Sequence, residues 1–336
     1  VPKLLTNLLL LTFRYVGLLL SEVAVMQQAY SLRAPGQKGI HISARGSFLG
    51  QLLLRSMDRA QALYESMELR GFCGEFPSAA HGRGSAASWP YALLCPALML
   101  LARYFYGGTQ VLRELSFSIQ DGEQTGLIGA NGAGKSTLMK AALGLVPYTG
   151  SITVDGLPVT RENLPAVRRK LGYVLQDADN QMFMPTVLDD MLFGPMNYGL
   201  SRAEAERQAD ETLASLRMEH LKLRHNHKMS GGEKRMAAVA AILAMKPDML
   251  LMDEPSTALD PRNRRTLIRV LRARPETKLI ASHDLDLVLE TCRRVLLIAD
   301  GALAADGPAQ ELLRDKALLE ANGLELPLCL AGVPEL

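Results

Sequence analysis

One run, Gly129-Ala-Asn-Gly-Ala-Gly134-Lys135-Ser136, constrains the fold of this chain more than any other feature. It matches the spacing G-x-x-x-x-G-K-[ST], in which glycines turn backbone N–H groups inward onto phosphate oxygens. The apolar pair Leu127-Ile128 precedes it, and a helix-forming run, Thr137-Leu-Met-Lys-Ala-Ala-Leu, follows. Strand, tight loop and helix in that order predict an α/β fold, and the helix N-terminus adds positive potential at the loop. Gly129, Asn131, Gly132, Gly134, Lys135, Ser136 and Thr137 are then candidates to surround the phosphates of ATP. Lys135 would reach the β- and γ-phosphates and the Ser136 hydroxyl a Mg²⁺ ion. A chance glycine-rich turn is the rival reading, and the motifs downstream count against it.

The first of these is Asp248-Met-Leu-Leu-Met-Asp253-Glu254. Its apolar residues read as a buried central strand that ends in two acids at the carboxyl edge, where α/β sheets bind ligands. Asp253 suits a Mg²⁺ ligand, and Glu254 is placed to polarise an attacking water as general base. A strand followed by a solvated turn would also fit Asp-Glu-Pro in isolation.

The second is Met229-Ser230-Gly231-Gly232-Glu233-Lys234, which runs into the helical pattern Arg235-Met-Ala-Ala-Val-Ala-Ala-Ile-Leu. Alone, S-G-G-E is a common helix cap. With the other two motifs it resembles the signature of the ABC ATPases, Met229 standing for the usual Leu and Glu233 for the usual Gln. The resemblance implies that Ser230, Gly231, Gly232 and Glu233 face the γ-phosphate held by a second ATPase domain. It extends to Gln176 as the Q-loop glutamine that touches Mg²⁺ and water, Asp260 as the D-loop aspartate and His283 as the switch histidine on the γ-phosphate. Phe105 or Tyr106 would stack on adenine, and spacing does not choose between them.

Hydrophobic residues make up 48% of the 336 residues, and the mean hydropathy is +0.06, both high for a purely soluble protein. Cys73, Cys95, Cys292 and Cys329 show no C-x-x-C spacing, which points to a reduced, cytosol-facing protein without a structural zinc site. The net charge of +2 hides an asymmetry: residues 1–106 carry ten Lys/Arg against five Asp/Glu, and 107–336 carry 27 against 30. A basic amino-terminal third beside apolar runs suggests a cytoplasmic membrane face. The basic residues are dispersed, without the aromatic interleaving of a single-strand binder, so no nucleic acid is expected.

The run from Leu4 to Leu20 spans about 26 Å as a helix, just short of a bilayer's hydrocarbon core. It reads as the end of a membrane helix, with a buried core helix as the alternative because Arg14 interrupts it. The chain begins at Val1 rather than Met, which leaves room for an upstream portion. Within 45–71, Leu49, Leu53, Met57, Ala60, Leu63 and Met67 form one apolar stripe at helical spacing, closed by Leu69-Arg70-Gly71. On periodicity alone this is a plain surface helix; a membrane face or partner groove is the functional reading.

The segments LTFRYVGLLLSEVAVMQQAYSLRA and SFLGQLLLRSMDRAQALYESMELRGFCGEF resemble the carboxyl-terminal part of the transmembrane T component of energy-coupling-factor transporters. In that family two cytoplasmic coupling helices, each ending in an Arg-containing motif, lie on paired ATPases. Leu32-Arg33-Ala34 and Leu69-Arg70-Gly71 match those motifs, which makes Arg33 and Arg70 the coupling residues. Gln176-Asp-Ala-Asp-Asn-Gln-Met-Phe-Met-Pro-Thr and Gly323-Leu-Glu-Leu-Pro-Leu resemble the cobalt/nickel-type ATPase component of the same transporters.

The resemblance implies residues 1–103 as a partial T-component region and 104–336 as an α/β ABC ATPase domain, with a helical subdomain at about 186–245. The segment 90–105 must serve as both last membrane helix and first ATPase strand, so one of the two is compromised. It further implies ATP and Mg²⁺ as cofactors and a second ATPase domain, a membrane T component and a substrate-binding S component as partners. The location would be the cell membrane, ATPase on the cytoplasmic side, and the cargo cobalt or nickel, with a vitamin as the alternative. The rival is a soluble ABC ATPase acting on nucleic acid or ribosomes. It would need two cassettes or a long coiled-coil insertion, and the chain has neither. A non-functional fragment with a truncated membrane part is the third reading.

Overall fold

Beyond residue 123 apolar runs alternate with helix-forming stretches, and those at 249–253, 277–281 and 294–299 become strands. The protein is described by a computed structural model over residues 60–72 and 111–331; the runs at 4–20 and 90–105, with Arg33, Phe105 and Tyr106, lie outside them. In chain order the strands are β1 (Gln124–Ile128), β2 (Thr153–Val154), β3 (Leu157–Pro158), β4 (Leu171–Val174), β5 (Met249–Asp253), β6 (Thr277–Ala281), β7 (Arg294–Ala299) and β8 (Ala302–Pro308). The main sheet has the order β4-β5-β6-β1-β7-β8, parallel but for β8, which returns antiparallel to β7. Residues 111–123 form neither helix nor strand, so no ATPase strand precedes β1 among the described residues.

The longer helices are α1 (60–69), α2 (Lys135–Ala142), α3 (Leu164–Lys170), α4 (Val187–Asn197), α5 (Arg202–Leu216), α6 (Gly231–Leu243), α7 (Pro261–Ala273) and α8 (Leu285–Thr291). The central strands are mostly apolar because both faces are covered, with Thr125 and Lys278 as buried polar exceptions. Alternate residues feed two cores: Ile128, Val174, Leu250, Met252 and Ile280 enter one, Leu127, Leu171, Tyr173, Leu251 and Leu279 the other. The first core takes in α4, α5 and α6, the subdomain expected at 186–245. The part of α6 from Arg235 to Leu243 is buried, which the small apolar run 236–243 permits. Ser201 and Glu204 cap α5 reciprocally, as their spacing predicts.

Register sets where the functional loops emerge. Ala281 of β6 lies opposite both Leu127 of β1 and Asp253 of β5. The three adjacent strands therefore release Gly129, Glu254 and Ser282 at one carboxyl edge.

Residues 65–72 fall in the same compact unit as 111–331. Met67, Leu69, Glu65, Ser66 and Arg70 are all buried there, so the end of α1 is not the plain surface helix that its periodicity alone suggests.

Candidate active site

The phosphate loop is built on glycine for a steric reason. Gly129 has φ 151°, and a Cβ there would lie 2.1 Å from the Ile298 carbonyl oxygen on the neighbouring strand β7. Gly134, at φ 107°, caps α2, and a Cβ on it would lie 2.6 Å from Leu112 Cδ2. A Cβ at either position would force the loop off this backbone path, which only glycine can follow. Lys135 donates from Nζ to the carbonyls of Gly129 at 2.6 Å and Ala130 at 3.1 Å, which folds its buried ammonium back over the loop. Burial pulls its pKa below the usual lysine value, against the opposing pull of Glu254 and Asp253.

Asp253 ends β5 fully inside the protein and accepts a hydrogen bond from the Tyr173 hydroxyl at 3.3 Å. Burial and then the Asp253 charge raise the Tyr173 pKa well above the ordinary value, so the hydroxyl stays a donor. Glu254 sits at φ 50°, a left-handed conformation uncommon for a side chain of this kind and found where a site over-determines the backbone. Its N–H donates to Ala281 O at 2.9 Å. Its carboxylate accepts from Ser282 Oγ at 3.2 Å and from the His283 N–H at 3.0 and 3.2 Å. The His283 ring, partly exposed, brings Nε2 to 3.4 Å from Glu254 Oε1. Lys135, Asp253, Glu254 and His283, spread over the sequence, thus meet at one sheet edge.

Ser230 caps α6 and forms a capping box with Glu233: the Ser230 N–H donates to Glu233 Oε2 at 2.7 Å, and the Glu233 N–H to Ser230 Oγ at 3.3 Å. The cap reading and the signature reading hold together, because Gly231 and Gly232 follow at the first helical positions, where backbone N–H groups lack intrahelical acceptors. Asp260 caps α7 through the Asn263 N–H at 2.8 Å. Gln176 is exposed just beyond β4, and its carbonyl accepts from the Arg235 guanidinium.

Arg235 is a residue that motif reading passes over. It is buried in α6 and also donates to Leu175 O at 2.6 Å, tying the signature helix to the backbone around Gln176. Burial lowers its pKa, offset by Asp177, Asp253 and Glu254. Gln181 ties the same loop from its other side, accepting the Leu175 N–H at 2.9 Å and donating to Ala238 O at 2.7 Å.

Arg70 is fully buried against this loop. Its Nη1 donates to Asp190 Oδ1 at 3.1 Å and its Nη2 to Gln181 O at 2.8 Å, and its guanidinium lies 5.0 Å from the Phe183 ring centre. Asn197 donates to the Arg70 carbonyl at 3.0 Å and the Tyr198 hydroxyl to that of Leu69 at 3.1 Å. Asp190, wholly buried, also accepts the N–H groups of Phe183 and Met184 and the Asn226 side chain. Arg70 thus meets this loop at Gln181, five residues beyond Gln176. The available signals were an aspartate inside the apolar run Val187-Leu-Asp-Asp-Met-Leu-Phe and a glutamine inside Asn180-Gln-Met-Phe.

The residues at the sheet edge fit a nucleoside triphosphate: a glycine-built loop at a helix N-terminus, a buried lysine and a carboxylate pair. They also fit Mg²⁺, which keeps most of its waters and takes phosphate oxygens with only one or two protein donors.

The ABC transporter family model matches residues 112–257, and the model described as cobalt transport protein matches residues 1–81. A putative ABC transporter ATP-binding protein of Geobacter sulfurreducens is 46% identical over 235 residues, 70% of this chain and 94% of that one. The cobalt import ATP-binding protein CbiO of Rhodobacter capsulatus is 42% identical over 67% of this chain and 82% of its own. The energy-coupling factor transporter ATP-binding protein EcfA of Methanothermobacter thermautotrophicus is 40% identical over 66% and 73%. Among solved structures, cbiO1 of Clostridium perfringens, described as part of the transporter complex cbiONQ, superposes with a TM-score of 0.57 at 33% identity, covering 66% of this chain and 92% of that one.

Proposed function

The chain belongs to the ABC transporter ATP-binding family and joins a T-component segment to its ATPase as a fused energy-coupling-factor protein; from there we propose that it drives uptake of cobalt or nickel ions through a separate substrate-binding membrane component. ATP binding, hydrolysis and membrane association come with the family. The observation that carries the coupled role is Arg70, wholly buried against Asp190 and Gln181 inside the ATPase unit. The cobalt names of the matching family model and of the Rhodobacter relative support the cargo.

In this reading the ATPase domain faces the cytoplasm, begins near residue 104 and pairs with a second ATPase domain. The loop from Gly129 through Asn131, Gly132 and Gly134 to Thr137, with Lys135, holds the triphosphate, and Phe105 or Tyr106 stacks on adenine. Ser136, Gln176 and Asp253 are the residues that would hold Mg²⁺, which supplies charge neutralisation on the phosphates when bound. Glu254, oriented by Ser282 and the His283 N–H, takes a proton from the water that attacks the γ-phosphorus. The bond from that phosphorus to the bridging oxygen breaks, and ADP leaves. His283 contacts the γ-phosphate, and Ser230 with Gly231, Gly232 and Glu233 of the opposite domain closes over it, Asp260 lining the join. Arg33 and Arg70 transmit the closure to the membrane part.

The test is metal accumulation, measured by mass spectrometry, in cells that lack other cobalt and nickel importers and express the chain with its genomic neighbours. Uptake above vector controls, lost in Glu254→Gln and in Arg70→Glu, is expected. An active ATPase without cobalt or nickel uptake removes the cargo. Unchanged uptake in the double variant Arg33→Glu, Arg70→Glu removes the coupling role.

A further inference from the structure

Helix α7 begins directly after Asp260 and carries Arg262, Arg265 and Arg269 at spacings of three and four, hence on one face. They line a cavity of about 360 Å³ together with Pro261, Thr266 and Arg217. Arg217 reaches it from the end of α5, where it stands at φ 58° in the left-handed position that usually selects glycine or asparagine. Thr266 is buried and anchored to Arg262 O at 3.1 Å.

Several basic side chains elsewhere meet acids: Arg264 on the same helix pairs with Asp284 and Glu290, Lys222 with Glu206 and Asp210, and Arg294 with Glu123 and Asp306. Arg217, Arg262, Arg265 and Arg269 have no acidic partner among the described residues. Like charges three and four apart on a helix repel one another. Four such exposed groups around one hollow build a local positive potential that attracts an anion carrying several charges.

We propose that this arginine-lined cavity binds an oligophosphate, a chain of two or three linked phosphoryl groups. Guanidinium groups stay charged at every physiological pH and grip phosphate oxygens in pairs. The volume lies at the small end of ligand pockets, enough for a phosphate chain. No aromatic side chain lines it, so the site offers a base nothing to stack on and reads the phosphates alone. The shared chemistry is met by inorganic oligophosphate and by the tail of a nucleoside triphosphate.

The experiment uses the full chain in lipid nanodiscs, carrying Lys135→Ala to weaken the phosphate loop, titrated calorimetrically at about 150 mM salt to suppress long-range charge effects. Tripolyphosphate is expected to bind more tightly than orthophosphate. Arg265→Glu with Arg269→Glu should weaken it by about thirtyfold or more, and the paired lysine variants by about fivefold, since they keep charge and lose bidentate geometry. ATP binding as tightly as tripolyphosphate identifies the triphosphate tail as sufficient; tripolyphosphate alone identifies the inorganic chain. In the chain with Lys135 intact, basal ATP hydrolysis of the Arg265→Glu, Arg269→Glu variant stays near that of the parent and certifies the fold. Unaltered affinity in the glutamate variant, or lysine variants equal to the parent, overturns the site. So does a short DNA strand that displaces tripolyphosphate at lower concentration.

Discussion

The Glu254 carboxylate accepts the His283 N–H at 3.0 Å, while the His283 ring nitrogen Nε2 stands 3.4 Å from the same oxygen. The residue read as the base is therefore held by the backbone of the residue read as the γ-phosphate sensor. Replacing the His283 ring leaves that backbone donor in place.

This separates two variants. Glu254→Gln keeps shape and hydrogen-bond acceptance but cannot take a proton. ATP hydrolysis should fall by about 10²–10⁴-fold with nucleotide binding retained. Single-turnover hydrolysis and equilibrium nucleotide binding check it, and near-parental turnover would remove Glu254 from the base role.

His283→Ala should lower turnover less, by about ten- to a hundredfold, because it removes one charge-stabilising contact and leaves the base oriented. A loss as deep as that of Glu254→Gln in single-turnover assays would mean that the ring, and not the His283 N–H, positions the carboxylate.

Breaking the Arg70–Asp190 pair from one side leaves a buried charge. Arg70→Met should destabilise the protein by about 3–5 kcal/mol. Adding Asp190→Asn should restore part of this, with a coupling of about 1–3 kcal/mol in a double-mutant cycle read from denaturant unfolding. Additive effects would show that the two side chains do not depend on each other.

Composite sites predict complementation. Lys135→Ala and Ser230→Ala chains are each inactive as homodimers, yet a mixed dimer keeps one intact site if Ser230 serves the nucleotide of its partner. Mixing should recover up to about a quarter of parental ATPase activity, allowing for half the dimers being mixed and one site in each. Heterodimers that form without activity would mean that Lys135 and Ser230 of one chain serve the same nucleotide.

The buried Cys292 thiol is pushed up to about 11 by burial. Its thiolate, the reactive form, becomes abundant only as pH approaches that value. At about pH 8 iodoacetamide should modify the exposed Cys329 about tenfold faster than Cys292, as read by peptide mass spectrometry, although Asp286 also raises the Cys329 thiol. Equal rates in the folded protein would contradict the burial of Cys292.

The strands ending in Ile128, Asp253 and Ala281 were legible because a buried parallel strand is a short unbroken apolar run, and each was followed by a chemically marked loop. Ser201 with Glu204 and Ser230 with Glu233 were legible because capping is local. Arg235, Gln181, Asp190 and Asn226 were not. Each is a polar side chain buried against backbone or side chains far along the chain, and no periodicity encodes that partner. Periodicity alone does not set the end of α1 apart from any amphipathic helix; the family motif at Arg70 did, and the contacts with Gln181, Asp190 and Tyr198 are what periodicity cannot encode.

Arg70 and Asp190 belong to one polypeptide, so their meeting is an intramolecular event that does not depend on protein concentration. Dilution or uneven expression cannot strip this segment from its ATPase, as it would with separate subunits. Should two copies of this chain pair, each would bring its own arginine to its own ATPase, two such segments in all.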